Sequence, residues 1–182
     1  MYAVALYIRN NDIKKEVFDV LLSLIGNNAS HKENNGFDVF YHRHENCEEI
    51  KQLILSLSTE FMVPIKGYIS YDRETEKLLE ELKLVTLALR DMGNEIYNLK
   101  ELLPFINDCA LKKKLLDFIL DGTGITIEFI REFALSDLNV SLASKKMYIH
   151  RNTMIYKLDR FYQDTHFDLR HFIDCHLLYS LI

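Results

Sequence analysis

The residues best equipped for chemistry lie near the C-terminal end: Arg151, Asn152, Thr153, Tyr156, Lys157 and Arg160, with Lys145, Lys146 and His150 just before them. Guanidinium forks and carboxamides meet the edges of paired bases with two hydrogen bonds at once, whereas ammonium groups meet phosphates as point charges. Carried on one helix, such a set suits the reading of a DNA major groove. No comparable set points to catalysis. There is no Gly-Gly pair, and Gly26, Gly36, Gly67, Gly93, Gly122 and Gly124 form no loop that could cradle phosphates; Gly122-Thr123-Gly124 reads as a helix C-cap and a turn. Neither G-x-S-x-G nor H-E-x-x-H occurs, so no enzymatic activity and no cofactor is expected.

Metal and disulfide chemistry are equally thin. Cys47, Cys109 and Cys175 are far apart and never form C-x-x-C, so they read as free thiols. His171 and Cys175, four apart with His176 adjacent, share a helical face on which two ligands fit, but packing is the plainer reading and no metal is expected.

The elements that must position the cationic set can be read from the spacing of apolar residues. Asn139 or Ser141 can cap a short helix in which Leu142, Ala143 and Met147 face inward, with small Ala143 admitting a close neighbour. Tyr148 and Ile149 make a turn. A second helix starts at His150, with Met154, Ile155, Leu158 and Phe161 as its buried face and the polar set opposite. Lys145 and Lys146, at the end of the first helix, are placed to meet the DNA backbone, and the first turn of the second helix enters the groove most deeply. The spacing predicts a helix-turn-helix over 139–163.

Upstream, the period changes. Tyr2 to Ile8 reads as a strand; Ile13, Val17, Leu21 and Leu24 as a helix; Asn27 to Gly36 as a loop; and Phe37, Val39 and Tyr41, alternating with Asp38 and His42, as a second strand. Ile50, Leu53, Ile54, Leu57 and Phe61 mark a helix stopped near Pro64, Ile65 to Tyr71 a third strand, Glu74 to Met92 the longest helix, ended by Gly93, and Ile96 to Leu99 a last short strand. This is an α+β domain over 1–104, with helices on one face of a mainly antiparallel sheet. The spacing of Leu78, Leu82, Val85, Leu89 and Met92 also suits a dimer seam. Strand signals end at Pro104, so 105–182 reads as an all-helical domain, with helices over Asn107 to Asp121 and Thr126 to Ala134 and three short ones after Ser141.

Bulk composition agrees. With 48% hydrophobic and 27% charged residues the chain can bury a core, and no apolar run is long enough to cross a membrane. The opening strand lacks the basic start and small-residue site of a signal peptide, so a soluble cytoplasmic protein is expected. Residues 1–138 carry 16 Lys+Arg against 23 Asp+Glu and residues 139–182 carry 6 against 4, so a polyanion is steered to the C-terminal end.

Tyr148-Ile-His-Arg-Asn-Thr, Tyr156-Lys-Leu and Phe167-Asp-Leu-Arg together resemble the C-terminal DNA-binding module of the PucR/CdaR family of bacterial regulators. The module is also similar to the helix-turn-helix of Fis-type proteins. Residues 65–103 are similar in element order to the GGDEF-like domain that precedes the module in the family, here without the catalytic motif. His166 stands where the family usually has Gly, Lys157 where it has Arg, and Met147 where it has Leu. The large N-terminal sensor domain of many members has no room in these residues. The resemblance implies a transcriptional regulator that binds double-stranded DNA, and a homodimer follows because one module reads only a few base pairs. It names no effector. The alternative is an interaction protein whose helical module binds a protein partner, a reading favoured by the modest basic balance.

Overall fold

Strand β1 (Tyr2–Ile8) is apolar on both faces: Val4, Leu6 and Ile8 point one way and Ala3 and Ala5 the other, and all five are buried. It lies at the centre of a five-stranded sheet in a computed structural model that describes residues 1–26 and 29–182. Asn27 and Asn28, part of the expected loop, lie outside the described residues. The chain divides into two compact units, Met1–Phe105 and Ile106–Ile182.

In the first unit the strand order is β2-β3-β1-β4-β5, with β2 (Ser30–Asn34), β3 (Phe37–His42), β4 (Ile65–Ile69) and β5 (Ile96–Tyr97). All pairs are antiparallel except β4 with β5. Helices α1 (Asn11–Ile25) and α2 (Cys47–Glu60) cover the face of Val4, Leu6, Ile8, Phe40 and Ile69 with Val17, Leu21, Ile50 and Ile54. Helix α3 (Thr75–Leu89) packs on β1 and β4 from the other side, where the buried Tyr68 of β4 donates its hydroxyl to the buried Glu81 carboxylate, which also accepts from Arg73. The helices therefore occupy both faces, not one, because β1 and β4 have apolar side chains on both. Leu78, Leu82, Val85 and Leu89 are fully buried inside this unit, so the stripe expected to suit a dimer seam is used against the sheet.

Other expectations are corrected locally. The predicted loop contains strand β2, whose Ser-His-Lys-Glu-Asn sequence has no apolar alternation; Asn35 (φ 53°) and Gly36 (φ 84°) supply the two positive-φ positions of a tight hairpin turn into β3. Asp38 and His42, expected to face water, are buried: Asp38 is paired with Lys14 at 2.6 Å and His31 at 3.0 Å, and His42 stacks on Tyr2. Helix α3 ends before Gly93, which has no positive φ, and it is equalled in length by α1. Strand β5 stops at Tyr97 because Asn98 and Glu101 form a capping box that starts the short helix α4 (Leu99–Leu102).

The second unit is helical: α5 (Cys109–Leu120), α6 (Ile127–Ala134), α7 (Val140–Lys146), α8 (Arg151–Thr165) and α9 (Phe172–Tyr179). Asp108 caps α5 and Thr126 caps α6. Helix α6 packs on α7 and α9, and α7 on α8, around Ile130, Phe133, Ala143, Met154, Leu158, Phe161 and Phe167. No helix among the described residues is long and apolar enough to cross a membrane.

Candidate nucleic-acid interface

The geometry of the α7–α8 pair starts from its caps. The side chain of Asn139 accepts from the backbone N–H groups of Ser141 and Leu142, both at 3.0 Å, and opens α7. Its other end is closed by Ile149 N–H donating to Ser144 O at 3.0 Å and Tyr148 N–H to Lys145 O at 3.3 Å, with Tyr148 left-handed at φ 54°. That is a Schellman closure in which tyrosine takes the position glycine usually fills. Helix α8 then starts from His150, whose Nδ1 accepts from Asn152 N–H at 3.2 Å. With Nδ1 the acceptor, the ring proton sits on Nε2, a donor for an oxygen outside the helix.

The expected inward face of α7 is only partly right. Ala143 is fully buried, but Leu142 is exposed, Met147 half-buried, and Ser144 takes the inner position, because a helix of seven residues gets its sidedness from what it packs against. On α8, Met154, Leu158 and Phe161 are buried and Ile155 is half-buried.

Asn152, Thr153, Tyr156 and Arg160 are exposed and fall within about 100° of arc at the helical step. Arg151 lies on the side facing α7, where its Nε donates to Ser141 Oγ at 3.2 Å and its two terminal nitrogens stay outside that bond. Lys145 is exposed. Two other expected phosphate contacts are engaged internally: Lys146 Nζ donates to Leu135 O at 3.0 Å and Lys157 Nζ to Gly124 O at 3.1 Å. Arg160 Nε lies 3.5 Å from Asp164 one turn on.

Charge is therefore graded along α8. Among the described residues neither Lys145 nor Arg151 pairs with a carboxylate; Lys145 is in the last turn of α7, and Arg151 is at the N-terminus of α8, where the backbone dipole adds positive potential. Farther along, Asp164 offsets Arg160 and Asp159 binds Arg170 at 2.7 Å. Two further residues join the site: Ser141, expected only as a helix cap, orients Arg151, and Tyr148, 96% exposed, projects from the turn. A polar residue at the start of α7, ten before the arginine, was the available signal for the first.

Phe167-Asp-Leu-Arg locks the far end. Phe167 and Leu169 are fully buried, while Arg170 bridges Asp168 at 2.8 Å and Asp159 of α8 at 2.7 Å. Burial pushes the Asp168 carboxyl up, but hydrogen bonds and charge from Arg170 outweigh it and hold it below its usual value. Across α9, burial pushes the Cys175 thiol up to about 11. No group of three or more His, Cys, Asp or Glu side chains converges to hold a metal among the described residues.

Residues 126–181 match the family model of the PucR C-terminal helix-turn-helix domain, which takes in α6 to α9. Among solved structures, the crystal structure of a regulator of polyketide synthase expression from Bifidobacterium adolescentis is similar at 15% identity, covering 98% of this chain and 77% of that one with a TM-score of 0.47. No curated protein matches the chain.

Proposed function

With residues 126–181 a PucR-type C-terminal helix-turn-helix domain, we propose that the protein is a non-enzymatic transcriptional regulator that binds specific double-stranded DNA sequences as a homodimer in the cytoplasm. The observation that carries this reading is the start of α8: exposed Asn152, Thr153 and Tyr156 share one face of the helix, Arg151 stands beside them on the side toward α7 without a carboxylate partner, and the helix N-terminus is capped by His150. In this reading Arg151, Asn152, Thr153 and Tyr156 read bases, while Lys145, the Nε2–H of His150 and Tyr148 meet phosphates. Lys146, Lys157 and Arg160 contribute only by giving up their present partners.

Dimer action follows from the size of the site. Two recognition helices about 34 Å apart read half-sites one helical turn apart, which one helix cannot do. Support for a surface comes from α9, where Phe172 is 71% and Ile173 59% exposed. The first unit carries 12 Lys+Arg against 17 Asp+Glu, a net negative balance that disfavours its approach to the polyanionic DNA backbone as a whole. Its sheet and helices read as a GGDEF-like scaffold without the catalytic motif.

Selection from a random duplex library by the full chain at about 0.15 M salt tests the proposal, since non-specific binding is suppressed there. An inverted repeat with half-sites about one helical turn apart is the expected result. A second reading, a protein-binding module, is favoured by the even balance of ten Lys+Arg and ten Asp+Glu in the second unit. It is the conclusion if no sequence is enriched.

A further inference from the structure

The first unit has a cavity of about 410 Å³ at one end of its sheet, and three cations line it: Arg9, just past β1; Lys66, on β4; and Arg90, just past α3. No carboxylate lines it, although this unit carries 17 Asp+Glu against 12 Lys+Arg. Asp91 and Glu95 are close in sequence but not part of the lining. None of the three cations is ion-paired among the described residues, and only Lys66 has a hydrogen bond, donating to Arg90 O at 3.2 Å. Three like charges around one hollow repel one another, and a bound anion removes that cost.

The remaining lining says what else the ligand carries. Tyr7 and Phe37 place two aromatic rings 5.8 Å apart, tilted at 53°, along the wall. Asn35 and Asn94 add carboxamides at the rim, the first oriented by donating to Thr86 Oγ1 at 3.0 Å. The register makes this convergence firm: Tyr7 pairs directly with Lys66 across β1 and β4, and the tight turn at Asn35 sets Phe37 at the start of β3. A volume of about 410 Å³ is within the range of small-ligand pockets.

We propose that this cavity binds a small organic dianion of the phosphate monoester class, with the two arginine forks and the Lys66 ammonium on the phosphate and a flat apolar group against Tyr7 and Phe37. A phosphate monoester carries about −1.5 to −2 charge at neutral pH, which matches a three-cation site better than a single carboxylate does. The assignment is independent of whether the second unit binds DNA.

Calorimetric titration of the full chain with phenyl phosphate, inorganic phosphate and benzyl alcohol tests it at low salt. Phenyl phosphate is expected to bind at least tenfold tighter than inorganic phosphate, and benzyl alcohol not to bind. Arg9→Gln and Arg90→Gln, both at exposed positions, are each expected to weaken phenyl phosphate at least fivefold with Tm unchanged. Lys145→Gln/Arg151→Gln, on the other unit, should leave that affinity unaltered. The proposal is overturned if no binding is seen at millimolar ligand, if the double variant Arg9→Gln/Arg90→Gln binds as the unaltered chain does, or if Lys145→Gln/Arg151→Gln abolishes the signal.

Discussion

His166 ends α8 with φ 64° and ψ 9°, in the left-handed region, and its N–H donates to Tyr162 O at 2.8 Å. A residue with a Cβ pays roughly 1 to 2 kcal/mol there, a cost glycine does not have. Replacing His166 by Gly removes that cost, but it also frees the unfolded chain by about 0.4 to 1 kcal/mol and removes a half-buried ring. The expected net gain is about 0.5 kcal/mol, and the informative comparison is with His166→Ala, which loses the ring but keeps the Cβ. Gly should exceed Ala by about 1 kcal/mol. For a domain of 60 to 100 residues that is a difference of about 4 to 8 °C in Tm, readily resolved by calorimetry of the second unit's transition. Equal melting temperatures for the Ala and Gly variants would refute the claim that the backbone at this position is strained.

Other outcomes follow from the same geometry. Arg151→Ala should lose about 1 to 3 kcal/mol on the selected sequence and little on random DNA, whereas Lys145→Ala should weaken both alike and reduce the salt slope by about one; equal losses on both sequences for both variants would contradict that division. Asn139→Ala removes two capping bonds and should cost about 1 kcal/mol in urea unfolding of the second unit, with a loss under about 0.3 counting against the cap. Burial, then the neighbouring His44, lowers the pKa of His42 to about 4, so its neutral form is favoured in the fold. The first unit should therefore be most stable above pH ~6.5 and lose stability as pH falls from there toward 4, while His42→Phe should flatten that dependence; a parallel decline in the variant would remove His42 as its cause. For Asp168 the sign is the same and the window lies lower: its lowered carboxyl pKa means that the Arg170 clamp contributes above pH ~3.9 and is lost only as pH falls below it, which acid titration of Asp168→Asn against the unaltered chain will show.

Local patterns determined much of this protein. The continuous apolar run of β1 and the helical spacing of Val17 and Leu21, of Ile50 and Ile54, and of Met154, Leu158 and Phe161 are properties of short segments, because each element repeats on its own backbone geometry. The Tyr148-to-Thr153 turn was legible for the same reason: turn, cap and first helical residues are contiguous. What touches across space was not. Strand β2 exists because β3 offers a ladder to its polar chain, not because its side chains alternate. Leu142 faces water and Ser144 the core because α7 is too short to impose its own apolar face on its neighbours. Lys146 and Lys157, indistinguishable in sequence from phosphate contacts, are drawn to the carbonyls of Leu135 and Gly124 by segments 11 and 33 residues away. The basic cavity needs Arg9, Lys66 and Arg90, which share no motif and meet only when β1 pairs with β4 and α3 crosses the sheet. Hydrogen-bond periodicity acts within a few residues and can be read along the chain, whereas burial and charge compensation are set by groups that only folding brings together.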